Sequence, residues 1–390
     1  MTPPSTAATW VEAAQALAPQ IRDVAEEIER ARRLPQTLVK AMAEAGLFRL
    51  LTPAKFGGCE VDVATMVRVV EEVSKVDGSA GWIVMTVGST SVISAYLDDE
   101  TAHEVYGSDP LVVTSGVFAP KGKAIVVDGG YRVTGRWPFG SGCEHSTWLL
   151  CGCMVVKDDN PCLLPNGTPD IRMMIFPATA CEILDTWSVA GLRGTGSHDI
   201  VVTDVFVPQR RSVSLIADRP CQPGPLYAFP AFGLLALDIA AVAIGMARGA
   251  IDALMALASE KTPTGSRRRL SERAVVQMQV AQAEAQLRAA RAFLFETIDE
   301  VWASVGRGEE LSLDQRTLLR LSATHATVSS TQAIDLMYNA GGGTSIYTHS
   351  PLERYFRDIH AVTQHLMVAQ PTYEVVGRLF FGLKTDTSMF

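Results

Sequence analysis

The chain has 390 residues, of which 47% are hydrophobic and 19% charged, which excludes a disordered polymer and leaves ample material for a buried core. Its 42 acidic and 34 basic residues give a formal net charge of −8, so the basic footprint of a nucleic-acid binder is absent, and so is electrostatic attraction to anionic membranes. The seven cysteines are odd in number and include no CxxC pair, so reduced thiols in a cytoplasmic protein are expected and a zinc site is not.

At roughly 100–200 residues per domain, the length suggests two or three domains. The opening MTPPSTAATWVEAAQ lacks the basic and apolar regions of a secretory signal. Residues 1–110 read as an all-α domain. Pro35 to Leu47 has helical character, stopped at Gly46. Met66, Val69, Val70, Val73 and Val76 recur at helical spacing, with charges on the other face. A turn-rich TPAKFGG lies between these two helices.

The period changes in residues 111–225, which read as a β domain. Short β-rich runs are punctuated by Gly, Pro, Asn and Asp, and Val126 to Val133 reads as a hairpin turning at Asp128-Gly129. Cys151 and Cys153 alternate in an apolar run and share one strand face. Residues 208–225 read as a linker.

Residues 226–390 return to helical spacing. The apolar run around 225–247 contains Pro225, Pro230 and Asp238, and its second half reads as a buried helix rather than a membrane span. Val276 to Val305 steps by threes and fours, a helix of roughly 45–50 Å suited to a bundle and a subunit interface.

Familiar nucleotide and hydrolase motifs are missing. Gly191, Gly194 and Gly196 are spaced GxxGxG and precede a strand-like run, the wrong context for a dinucleotide turn. There is no phosphate-binding GxxxxGK[ST] loop, no GxSxG and no HExxH. The seven histidines form no metal-ligating pair, and His360 and His365 fall on different faces of one expected helix.

Two glycine-rich aromatic segments remain. GRWPFGSGCEHSTW (135–148) combines aromatic faces with hydroxyl donors, which suits a flat heteroaromatic ligand such as a flavin; a glycine-bent strand pair with core aromatics is the other reading. NAGGGTSIYTHSPLERYFRDIHAVTQH (339–365) opens bare backbone at a helix end, where N–H groups can approach a phosphate; a plain helix corner is the alternative. Glu353, Arg354, Arg357 and Asp358 are placed to form two ion pairs along one helix.

Five ordered blocks carry a resemblance: GLFRLLTPAKFGG (46–58), VDGSAGW (76–82), GRWPFGSG (135–142), WSVAGLRGTGSHDIVVTDVFVP (187–208) and GGGTSIYTHSPLERYFRD (341–358). The chain resembles the acyl-CoA dehydrogenase-like flavoprotein superfamily over nearly its whole length. That implies an α+β fold, with an N-terminal helical domain, a middle β-barrel or sandwich and a C-terminal four-helix bundle. The positions matching the superfamily's catalytic carboxylate are Leu366 and, for the other placement, Leu254 or Met255, and none is a base.

Gln364-His365 together with WxFxSG resembles the two-component flavin-dependent monooxygenases, including phenol and indole hydroxylases, dibenzothiophene monooxygenase and amino-sugar N-oxygenases. The resemblance implies reduced flavin, FADH2 in preference to FMNH2, delivered by a separate NAD(P)H-dependent flavin reductase. It implies O2 as co-substrate, a C4a-hydroperoxyflavin and hydroxylation of an aromatic or heteroaromatic small molecule. An amino-sugar N-oxygenase, an acyl-CoA dehydrogenase with another base, and a non-catalytic flavin scaffold are the competing readings.

By the same resemblance, Ser141 contacts flavin N5, Phe139 lies beside the isoalloxazine and Trp137 packs close by. His365 stabilises the peroxide or deprotonates the substrate, and Trp82 packs against the pocket. Gly342, Gly343 and Thr344 reach the flavin phosphates of a neighbouring subunit in a homotetramer, with Arg268, among Arg267 to Arg269, as the cationic partner. Phenol hydroxylases of this group carry a second His after the segment matching Gly81-Trp82, but IVMTVGST has none, which tilts the expected substrate toward an electron-rich indole-like ring.

Overall fold

The computed structural model describes residues 7–390. The first helical stretch forms α1 (Ala7–Ala16), α2 (Ala18–Asp23), α3 (Ala25–Ala31), α4 (Gln36–Glu44), α5 (Val63–Ser74), α6 (Gly78–Ser91) and the short α7 (Asp99–Ala102). Asp62 starts α5 by accepting the Thr65 N–H at 2.7 Å. Of the expected stripe, Met66, Val69, Val70 and Val73 are fully buried, while Val76 lies beyond the end of α5 and is half-buried.

Eight strands follow: β1 (Thr114–Val127), β2 (Gly130–Gly140), β3 (Trp148–Lys157), β4 (Asn160–Pro161), β5 (Ile171–Pro177), β6 (Glu182–Leu184), β7 (His198–Pro208) and β8 (Ser212–Val213). Val127 pairs with Gly130, so the hairpin turns at Asp128-Gly129 as the sequence suggests. The strands form one sheet in the order β6-β7-β2-β1-β3-β5-β8, with β4 paired to β3. Only the β1–β3 pairing is parallel among the strands described.

Alternation along β3 feeds two cores. Leu149, Cys151, Cys153 and Val155 enter one, while Leu150 enters another with Met173, Ile175, Val112 and Val213. The segment read as a linker is more ordered than expected, because Ser212 and Val213 pair with Met174 and Met173.

The second helical stretch comprises α8 (Pro225–Ala228), α9 (Ala231–Glu260), α10 (Ala274–Gly306), α11 (Leu313–Gly341), α12 (Pro351–Val362) and α13 (Pro371–Phe380). α9 is apolar and long enough to span a bilayer, yet 89% of its most apolar window is buried. It packs against α5, α6, α10, α11 and α12, and the largest core accordingly runs from Trp10 to Val368 across both helical stretches. Within it, Asp238 accepts a hydrogen bond from Ser89 at 2.9 Å. Burial pushes its carboxyl up to about 8.

One expected ion pair is replaced. Arg357 does pair with Glu353 on α12, but Arg354 reaches Asp77 at 3.5 Å instead of Asp358. Asp358 is wholly buried and accepts the Leu192 N–H at 2.6 Å. The helical period brings Arg354 and Asp358 to the same side, but the chain entering α6 supplies a closer carboxylate.

Candidate active site

Helix α6 places the first side chain. Asp77 caps it by accepting the Ala80 N–H at 2.9 Å. Gly81 lets α6 press onto α5, since a Cβ there would lie 1.8 Å from Ser74 Oγ. The next residue, Trp82, is thereby fixed in the interior, 8% exposed.

The indole Nε1–H of Trp82 donates to Ser141 Oγ at 3.0 Å. Ser141 follows β2, where the strand is broken by Phe139 in a left-handed conformation at φ +68°. A non-glycine residue held there stores strain of the kind that gathers at functional sites. Phe139 is consequently turned outward, 67% exposed, with its ring 6.1 Å from that of Trp187. The Ser141 hydroxyl meets Ser197 Oγ at 2.7 Å, and Ser197 meets Thr195 Oγ1 at 2.6 Å.

His365 completes the cluster from the C-terminal side. It does not lie on α12, as expected, but in the turn beyond it, because the helix ends at Val362. Its ring lies 5.8 Å from the indole of Trp82. Nδ1 accepts the Met367 N–H at 3.2 Å, so a neutral ring carries its proton on Nε2. Burial, reinforced by the positive charge of Arg320, lowers the imidazole to about 4. Arg320 in turn donates to the Met367 carbonyl at 3.1 Å and to that of Met389.

Trp137, expected beside the flavin, sits elsewhere. It is fully buried in the core of the sheet, and its Nε1–H donates to the Gly152 carbonyl at 2.6 Å. It presents no surface to a ligand.

A second polar site is built from the end of α11. Gly342 adopts φ +58°, and a Cβ at Gly342 or Gly343 would meet nothing within 4 Å, so bare backbone faces open space. Lys261 Nζ donates to the Gly341 carbonyl at 2.7 Å and to Thr344 Oγ1 at 2.6 Å. Lys261, Arg273, Gly342, Gly343, Thr344 and Tyr347 line a cavity of about 600 Å³. Arg268 is not among its lining residues, whereas Arg273, which precedes α10, is. No hydrogen bond, ion pair or ring contact among the described residues joins this cavity to the Trp82–Ser141–His365 cluster.

Sequence reasoning missed four of these groups: Thr195, Ser197, Arg273 and Lys261. The hydroxyl pair lies inside the block GLRGTGS, so the signal was present, but hydroxyls spaced two apart announce no role until they meet Ser141. Arg273 and Lys261 flank the arginine run on either side.

These residues fit a flavin. An exposed aromatic ring and a half-committed hydroxyl suit the ring system, and bare backbone with two cations suits phosphate. Comparison with known proteins agrees. Residues 6–105 match the family described as acyl-CoA dehydrogenase, N-terminal domain, and residues 237–370 its C-terminal domain. The indole-3-acetate monooxygenase of Pseudomonas putida is 34% identical, covering 97% of this chain and 96% of its own length. The oxygenase subunit HsaA, a flavin-dependent monooxygenase of Mycobacterium tuberculosis, is 33% identical over 96% of this chain and 95% of its own. Its crystal structure superposes with a TM-score of 0.89, covering 97% of this chain and 99% of that one. XiaF from Streptomyces, solved with FADH2 and glycerol, is 28% identical with a TM-score of 0.88, covering 97% of this chain and 96% of that one. The chain belongs to the flavin-dependent monooxygenase branch of the acyl-CoA dehydrogenase-like superfamily.

Proposed function

We propose that this monooxygenase is the oxygenase component of a two-component system, which hydroxylates an indole- or phenol-like ring with reduced flavin supplied by a separate NAD(P)H-dependent reductase. The carrying observation is the convergence of Trp82, Ser141 and His365, from three distant parts of the chain, on one cluster. Bound reduced flavin supplies the two electrons with which O2 is split, one oxygen atom passing to the substrate and the other leaving as water.

The side chains supply position and protons. Ser141 offers its oxygen to flavin N5, Phe139 offers a ring face beside the isoalloxazine, and Trp82 with its neighbours keeps water out. His365 is neutral at physiological pH and presents Nε2–H, so it serves as a hydrogen-bond donor to an oxygen in the site rather than as a base. A substrate that is already electron-rich suits a site without a strong base, in keeping with the indole-3-acetate named for one relative.

FAD is favoured over FMN. The cavity with Arg273, Lys261 and the glycine turn adds a second anion-binding surface, appropriate to a diphosphate, and FADH2 is the flavin named for the XiaF complex. The separation of that cavity from the Ser141 cluster supports the reading that it serves a neighbouring subunit in a homotetramer.

The test is a single turnover: protein loaded anaerobically with FADH2 or FMNH2, mixed with O2 and a panel of indoles, phenols and an amino sugar. Oxygenated product carrying label from 18O2 on an aromatic substrate supports the proposal. Stoichiometric H2O2 with every aromatic compound rejects it.

A further inference from the structure

The hydroxyl chain behind Ser141 has a direction, and both of its ends fix it. At the inner end, Thr195 Oγ1 lies 2.8 Å from the Leu192 carbonyl. A carbonyl can only accept, so the single Thr195 proton is committed there. Leu192 is itself held in place, with its carbonyl taking the Trp187 Nε1–H at 3.0 Å and its N–H given to Asp358 at 2.6 Å. Thr195 must therefore accept from Ser197 across their 2.6 Å contact. Ser197 has then spent its proton and must accept from Ser141 across 2.7 Å. At the outer end, Trp82 Nε1–H can only donate, and it does so to Ser141 Oγ at 3.0 Å.

A hydroxyl has one proton and two lone pairs. In Ser141 the proton goes to Ser197 and one lone pair takes the indole N–H. One lone pair is left. All four side chains are buried, so water does not compete with this arrangement.

We infer that Ser197 and Thr195 are positioning residues, which hold Ser141 as an acceptor toward its ligand and so make the site selective for reduced over oxidised flavin. Reduced flavin carries a hydrogen on N5 and can donate to that lone pair. Oxidised flavin carries a bare nitrogen there, which meets another acceptor. The inference rests on the reading that Ser141 faces N5, and it adds a device by which an enzyme supplied with reduced flavin by a reductase would release the oxidised form.

The experiment measures dissociation constants for oxidised FAD and, anaerobically, for FADH2. It compares wild type with Ser197→Ala, Ser197→Thr, Thr195→Val and Ser141→Ala, each checked for folding by circular dichroism. Ser197→Ala frees the Ser141 proton to turn toward N5. The ratio of oxidised to reduced Kd should fall about fivefold, the size of one ordinary hydrogen bond. Thr195→Val should act in the same direction, and Ser197→Thr, which keeps a hydroxyl, should hold the wild-type ratio. A merely structural role would raise both constants together and leave the ratio alone. If Ser141→Ala shifts the ratio while Ser197→Ala and Thr195→Val leave it within twofold, the positioning role is overturned. If Ser141→Ala leaves it unmoved too, the N5 reading fails and the inference falls with it.

Discussion

The imidazole of His365 stands edge-on to the indole of Trp82, with ring centroids 5.8 Å apart and planes inclined at 63°. The same indole spends its N–H on Ser141. One aromatic side chain thus braces both polar groups of the site, through a ring contact on one side and its only donor on the other. Trp82→Phe keeps the ring contact and deletes the donor. Oxygenated product per reduced flavin should fall severalfold, with the balance appearing as H2O2, while folding is unchanged. Unaltered partition between product and H2O2 would mean that the indole hydrogen bond has no part in the chemistry.

His365 is held near 4 by burial and by Arg320. It is neutral from about pH 5 upward, so its contribution to product yield should be flat between pH 6 and 8 and drop below pH 5. The stability sign follows from the same shift. The folded state resists protonation that the unfolded chain accepts near 6.5, so the contribution is complete above that pH and is lost as pH falls toward 4. If the group acts as a donor, His365→Gln should retain more product than His365→Ala. Equal loss in both, with a pH–yield profile rising through 6–7 in wild type, would restore a base.

Arg273 and Lys261 should distinguish the two flavins. Arg273→Ala removes a cation from the cavity at the end of α11, and the Kd for FADH2 should rise about tenfold, as for loss of a charge-assisted hydrogen bond. The Kd for FMNH2 should change less than twofold. Equal effects on both would place the cavity outside the adenosine diphosphate site, and so would no effect on either.

Asp238 is protonated in the folded protein at neutral pH, because burial raises its carboxyl to about 8. The unfolded chain releases that proton near 4, so this group costs stability progressively as pH rises from 4 to 8. Asp238→Asn abolishes the dependence. Its melting temperature relative to wild type should climb by about 1–2 °C per pH unit across that range. A constant offset would show that Asp238 keeps its charge in the core.

Trp137 should prove structural. Its removal in Trp137→Ala takes a fully buried ring from the core of the sheet and costs about 3–5 kcal/mol. The melting temperature should drop while the remaining folded protein binds flavin normally. Loss of flavin affinity at an unchanged melting temperature would return the ring to the cofactor.

Local pattern made much of the architecture legible. The hairpin at Asp128-Gly129, the buried stripe of α5 and the long α10 each follow from spacing within one segment. Trp82, Ser141 and His365 were named by resemblance, and the structure brings them together. What escaped depends on partners far apart in the chain. Helical period pairs Arg354 with Asp358, but it cannot report that Asp77 lies closer. Strand alternation gives Trp137 and Phe139 one face, but it cannot report that a left-handed Phe139 breaks the alternation. A run of three arginines draws attention away from Arg273, whose place is set by the turn into α10.

The small core that contains both Val112 and Val213 shows that the strands leave the helices and return to them at a single seam. The body they leave is discontinuous along the chain, because α5 and α6 pack on α9, which lies beyond the last strand. During synthesis the N-terminal helices therefore emerge with their apolar faces uncovered, and they wait while the whole sheet is made before their partner appears. The order of residues along the chain thus imposes a delay on the ribosome product that the finished structure conceals.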